Sequence, residues 1–188
     1  MTPLDHAFAA LHYLHNHPVM PINRVVAWKH FRGKPERKSL YLTRNMRLNA
    51  FRDANYAASY CGPYGQPNYG AAVLTLGLGN CYEQACAAAW YLETHGGAEY
   101  ALMHYSHNDH VFLALGQPRG VYPDQFKQWS ADAAICDPWA DIACPAREYS
   151  QRWRARMSNW QVMGLTIAFD SPRSGSWYDL VDEPKCQV

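Results

Sequence analysis

Residues 77–92 read GLGNCYEQACAAAWYL. A glycine turn and an asparagine precede Cys81, and an alanine-rich run follows at once. Alanine is the strongest helix former, so the run predicts a helix that starts at Cys81 and stops at His95-Gly96-Gly97. A cysteine that only filled core space would serve anywhere on the inner face of that helix. At the helix mouth it sits where unpaired N–H groups and the helix dipole favour an anion. A nucleophilic cysteine must be a thiolate, and the ordinary thiol pKa of about 8.5 works against that. The position therefore predicts chemistry. It also calls for an imidazole to take the proton and a third group to steady the imidazole.

Working outward, the segments after the helix alternate as strands do. EYALMHYS (99–106) reads as a strand, His107-Asn108-Asp109 as a turn, and HVFLALG (110–116) as a second strand. A polar loop with a short helix near Phe126 leads to a third strand, AAICD (133–137), stopped by Pro138. PAREYSQRWRARMSNW (145–160) predicts a helix, QVMGLTIAF (161–169) a last strand, and the tail from Ser171 a loop. Before Cys81, the stripe Leu4, Phe8, Leu11, Leu14 predicts a helix over 3–16. Further helices are expected over Pro21–Phe31 and Ser39–Ala58, and CGPYGQPNYG (61–70) as loop. Helices first, then one helix feeding an antiparallel sheet, make an α+β fold. The 188 residues suit one domain: a helical part over 1–60, a core over 61–170 and a tail over 171–188.

Composition narrows the function. A hydrophobic share of 48% describes a globular chain, and a net charge of +1 argues for neither nucleic acid nor membrane as partner. No run of 18 apolar residues exists, so no transmembrane helix is expected. The first residues lack the basic start and small-residue cleavage site of a Sec signal peptide. The charge is uneven: between Arg24 and Arg52 nine basic residues face one acid, Glu36. A solvated helical face and a docking patch for an acidic partner both fit that run. The even count of six cysteines (Cys61, Cys81, Cys86, Cys136, Cys144 and Cys186) permits disulfides, but most are read as reduced and buried, and Cys86, away from the helix mouth, as inert beside Cys81.

Nine histidines compete for the base. Those at 6, 12, 15 and 17 belong to the first helix, His30 to the basic run, and His95 to a helix end. His110 opens an apolar strand, at the rim of a sheet where sites are built. If strands 110–116 and 133–137 are antiparallel neighbours, the start of one meets the end of the other, which brings Asp137 to His110. Opposite residues in such a ladder lie about 4.5–5.5 Å apart. Asp109 is the nearer acid, but adjacent strand residues face opposite ways. Trp139 and Trp90 are read as structural, with shielding of the site from water as the alternative role for Trp139 beside Asp137.

GNCYEQA, NDHVFLALG and AICDPWA, in that order, resemble the papain-like and transglutaminase-like cysteine hydrolases. The short separations resemble the small effector and toxin domains of bacteria, among them glutamine deamidases and cysteine proteases. The resemblance spans residues 61–145. It implies a papain-like fold, with N-terminal helices packed on a small antiparallel sheet, and a Cys81–His110–Asp137 triad. It also implies hydrolysis of a carboxamide in a protein substrate of a host or rival cell, and export by a bacterial injection machine. No cofactor or metal is required. One departure stands: papains carry a Gln shortly before the Cys as an oxyanion donor, and here VLTLGLG fills that stretch. Cys81 N–H, Asn80 and the more distant Gln66 are the candidate donors. Two competing classes remain. A zinc site would use His104, His107 and His110, which do not share a face on a strand–turn–strand. A non-catalytic module would bind through residues 24–52.

Overall fold

Thr2 and Asp5 cap the first helix reciprocally: the Thr2 hydroxyl accepts from the Asp5 N–H, and the Asp5 carboxylate from the Thr2 N–H. Pro3 starts that helix, α1 (Pro3–Asn16), where its fixed φ and missing N–H cost nothing. The computed structural model describes residues 1–26, 35–55, 66–168, 170–174 and 177–188. Along the chain follow β1 (Arg24–Val26), α2 (Pro35–Ala54), α3 (Gln66–Leu76), α4 (Cys81–Thr94), β2 (Tyr100–Tyr105) and β3 (Asn108–Leu115). Then come β4 (Ala134–Asp137), β5 (Ile142–Pro145), α5 (Tyr149–Val162), β6 (Leu165–Ile167) and β7 (Lys185–Gln187).

The fold is α+β. Five antiparallel strands lie in the order β5-β4-β3-β2-β7, and β1 and β6 form a separate two-stranded sheet. Alternation along β3 divides the core. Val111, Leu113 and Leu115 meet α1 and α4 on one face, through Ala85, Cys86, Ala88 and Leu92 of α4. Alanines at 85 and 87–89 are wholly buried and let α4 approach the sheet closely. Phe112 and Ala114 point to the other face, under α5 and the rings of Phe126, Trp139, Tyr149 and Trp153. Burying each such large side chain contributes about 1.5–3 kcal/mol.

Several local expectations give way to contacts made at a distance. Residues 24–26 are a strand, because Val25 and Val26 pair with Thr166 and Leu165; the rest of the expected 21–31 helix lies outside the described residues. The 1–60 part is therefore not purely helical. Gln66–Gly70 are helical rather than loop. Pro67 sits in the first turn, where proline is tolerated, and Gly70 lies against α4. The turn after β2 falls at Ser106-His107, and Asn108 and Asp109 already belong to β3. Of the described residues of the expected last strand, Leu165–Ile167 are extended, since α5 runs to Val162; Phe169 lies outside the described residues. The tail carries buried Leu180 and Val181 and then β7 on the β2 edge, which places it in the core. Among the described residues no helix is long and apolar enough to cross a membrane.

Candidate active site

Gly77 ends α3 at φ +68°, a conformation that favours glycine, and turns the chain into Leu78 and Asn80. Asn80 is the N-cap residue of α4, in extended backbone, and Cys81 is its first helical residue. The Glu83 carboxylate reaches back to accept from the Asn80 N–H at 2.8 Å. The Asn-x-x-Glu spacing is a capping-box signature, legible in the sequence once the helix start is fixed. Glu83 is almost fully buried, and Arg52 of α2 grips it through two contacts of 2.7 and 2.8 Å. Arg52 itself is 39% exposed, so the pair is half-buried, and its loss would leave the buried Glu83 carboxylate without this cation. One member of the basic run is thus structural, and it brings a cation to the helix mouth where Cys81 sits.

Cys81 is 4% exposed, and its thiol donates to the Asp109 carbonyl at 3.3 Å. Asp109 contributes its backbone while its side chain faces solvent. His110 is wholly buried beside it, with ring contacts to Trp139 at 5.1 Å and Trp153 at 4.8 Å. Its Nε2 lies 2.8 Å from Asp137 Oδ2, while its Nδ1 has no hydrogen-bond partner among the described residues. β3 and β4 are neighbours, but their register pairs Leu113 with Cys136. His110 is therefore not opposite Asp137. It lies two residues farther along the same face, and the imidazole spans the offset.

Asp137 is also wholly buried and held at both oxygens. Oδ1 accepts from the Ala140 N–H at 3.1 Å, and Oδ2 from the Tyr149 hydroxyl at 2.6 Å. Burial and the nearby Asp137 charge keep the Tyr149 hydroxyl well above its usual pKa, so it remains a donor. Burial alone would favour neutral His110. The Asp137 charge and hydrogen bond, with a contribution from Cys81, outweigh it and hold the imidazolium at about 10. The other described buried thiols behave differently. Burial pushes Cys86 and Cys136 far up and Cys144 up to about 12, so they stay protonated and inert.

Segment 20–24 fastens the two halves of the site, and nothing local in its sequence announces this. Met20 exchanges backbone bonds of 3.0 Å with Gly77 and Gly79. The Asn80 side-chain oxygen accepts from the Ile22 and Asn23 N–H groups, both at 3.0 Å, so that oxygen holds the segment. The Asn23 oxygen in turn accepts from the Trp139 indole at 2.9 Å, and Arg24 donates to the Trp139 carbonyl at 2.7 Å. Trp139 is buried, with its ring centroid 5.1 Å from that of His110. Gln66 begins α3, and its side chain and Cys61 lie outside the described residues. The structure thus brings Cys81, His110, Asp137, Asn80 and Trp139 together. It adds Tyr149, Glu83 and Arg52, which sequence reasoning missed as site residues; only Glu83 carried a signal. Among the described residues no three His, Cys, Asp or Glu side chains are disposed to hold a metal ion, and His104 Nδ1 instead contacts the Tyr105 carbonyl at 3.1 Å. Compared with known proteins, the chain matches no family model, no curated protein and no solved structure.

Proposed function

We propose that this chain is a thiol-dependent amidohydrolase working through Cys81, His110 and Asp137. The observation that carries the reading is the His110 ring: one nitrogen fixed by a buried carboxylate, the other unpartnered, beside a thiol at a helix N-terminus. A buried, unpaired ring nitrogen is costly, and such groups concentrate at functional sites. His110 is an imidazolium at rest, so the Cys81 proton leaves to solvent when the thiol turns from the Asp109 carbonyl, and the Nδ1–H stabilises the thiolate. The thiolate adds to a carboxamide carbon, and the C–N bond breaks as His110 gives its Nδ1 proton to the departing nitrogen. Neutral His110 then takes a proton from water, hydroxide opens the thioester at carbon, and the sulfur leaves as thiolate. Asp137 stabilises the imidazolium, while Tyr149 and Ala140 hold Asp137. The three residues are closed off from solvent in this conformation, so turnover includes an opening step that exposes the sulfur.

On the strength of the sequence resemblance, the substrate is a glutamine side chain of a target protein, reached after export from a bacterium. Peptide cleavage and transamidation pass through the same thioester. Peptide mass spectrometry of a proteome incubated with the protein, against Cys81→Ser, tests the reading. The expected result is glutamine converted to glutamate at discrete sites with wild type only. New peptide termini would reassign the enzyme as a peptidase, and equal products with Cys81→Ser would overturn the mechanism.

A second reading, a non-catalytic binding module, draws on α2. Leu40, Leu42 and Met46 of α2 are exposed among Arg37, Arg44 and Arg47. Arg24 and Arg52, which opened and closed the basic run, are instead turned inward onto Trp139 and Glu83.

A further inference from the structure

Segment 18–24, α1 and α5 enclose a groove of about 700 Å³, in the size range of ligand sites. Leu11, Leu14 and Val19 line its apolar part, and Met20 and Met163 flank it at 42% and 68% exposure. Methionines on a rim adapt to varied apolar side chains. The charged lining is asymmetric: Arg24 and Arg156 face a single acid, Asp141, and His15 lies beside them. That acid is already engaged, with Oδ1 at 2.7 Å from His15 and Oδ2 at 3.1 Å from Arg156. The Arg24 guanidinium stacks on Trp160 at 4.6 Å, and among the described residues no carboxylate pairs with it. The groove therefore offers apolar surface beside two arginines that share one lining acid, Asp141.

Its lining also includes chain neighbours of the proposed catalytic residues, although none of those three lines it. Gln84, one turn beyond Cys81, and Pro138, next to Asp137, both line it. Met20 is bonded to the glycine turn before Cys81, and Arg24 to the carbonyl of Trp139 over His110.

We propose that this groove docks a protein segment in which an acidic residue is flanked by apolar ones, the acid meeting Arg24 and Arg156. The proposal rests on the amidohydrolase reading for its purpose, and it names that enzyme's substrate class. Charge complementarity selects the acidic segment, and the adaptable methionine rim selects its apolar flanks.

The test is fluorescence anisotropy with the Cys81→Ser protein and a labelled dodecapeptide of leucine and glutamate on a Gly-Ser background. Twins carry lysine for glutamate or alanine for leucine. The expected result is saturable binding of the leucine–glutamate peptide and about tenfold or weaker affinity for each twin. Arg156→Glu and, independently, Met163→Asp at its exposed position should each weaken binding by a similar factor. Arg44→Glu/Arg47→Glu on α2 should leave it unchanged. Equal binding of the lysine twin, or loss of binding in the α2 variant alone, overturns the proposal. So does displacement of the peptide by phosphatidylserine vesicles or by self-association of the chain. No step requires turnover. Failed binding beside Cys81-dependent glutamine conversion removes only the groove, and binding without that conversion removes only the enzyme.

Discussion

His110 combines two opposed influences. Burial in an aromatic box disfavours its charge, and Asp137 at 2.8 Å favours it more strongly. The consequence for stability has a definite sign. A folded pKa of about 10 against an ordinary 6.5 means that the folded state holds a proton the unfolded chain gives up. The stabilisation is full below about pH 6.5 and is lost as pH rises through 10, with a slope of up to about 1.4 kcal/mol per pH unit. Asp137→Asn removes the partner while keeping its shape. Urea denaturation at several pH values should show wild type losing stability from pH 6.5 upward. The variant should be weaker by on the order of 3 kcal/mol at pH 6.5, with that slope flattened. Turnover should fall about a hundredfold or more. An unchanged slope in Asp137→Asn would mean that the proton does not reside on His110.

α4 is the element on which the site depends, because its first turn carries Cys81 and its buried alanines seat it on the sheet. α3 crosses it at Gly70, where an added Cβ would lie 2.2 Å from the Cys86 carbonyl oxygen and 2.8 Å from Trp90 Cβ. Helix propensity favours alanine over glycine by about 1 kcal/mol. Overpacking against backbone costs about 1–3 kcal/mol, and here the obstructing atom is a carbonyl that cannot swing aside. Gly70→Ala should therefore destabilise the protein, measured as a lower urea midpoint at constant m-value. A neutral or stabilising result would show that α3 and α4 are farther apart than described here.

Across the whole molecule, what the sequence revealed followed the range of the contacts. The start of α4, the strands around His110 and the strand ending at Asp137 rest on local pattern and turn residues, and they were legible. The α+β class followed from their order. Asp137 was reachable because adjacent strands constrain each other, although the register differs by two residues. Tyr149, the Arg52 grip on Glu83 and the stitching by segment 20–24 join residues far apart in the chain, and periodicity carries no information about them. The tail shows the same limit. Lys185 is buried, with its ammonium donating to the Val181 carbonyl at 2.9 Å and facing the Phe126 ring at 4.5 Å. A lysine near a chain end otherwise reads as solvated surface.

The central claim is that the Cys81 sulfur is activated by His110 rather than merely packed near it. The most direct measurement is the alkylation rate of each cysteine by iodoacetamide at pH 6, resolved by peptide mass spectrometry in wild type and His110→Ala. Cys186, exposed at the surface, serves as the internal reference. Activation predicts that Cys81, despite its burial, reacts at least about tenfold faster than Cys186, and that the advantage disappears in His110→Ala. Cys81 reacting as slowly as Cys86, Cys136 and Cys144, or equally fast without His110, would contradict it.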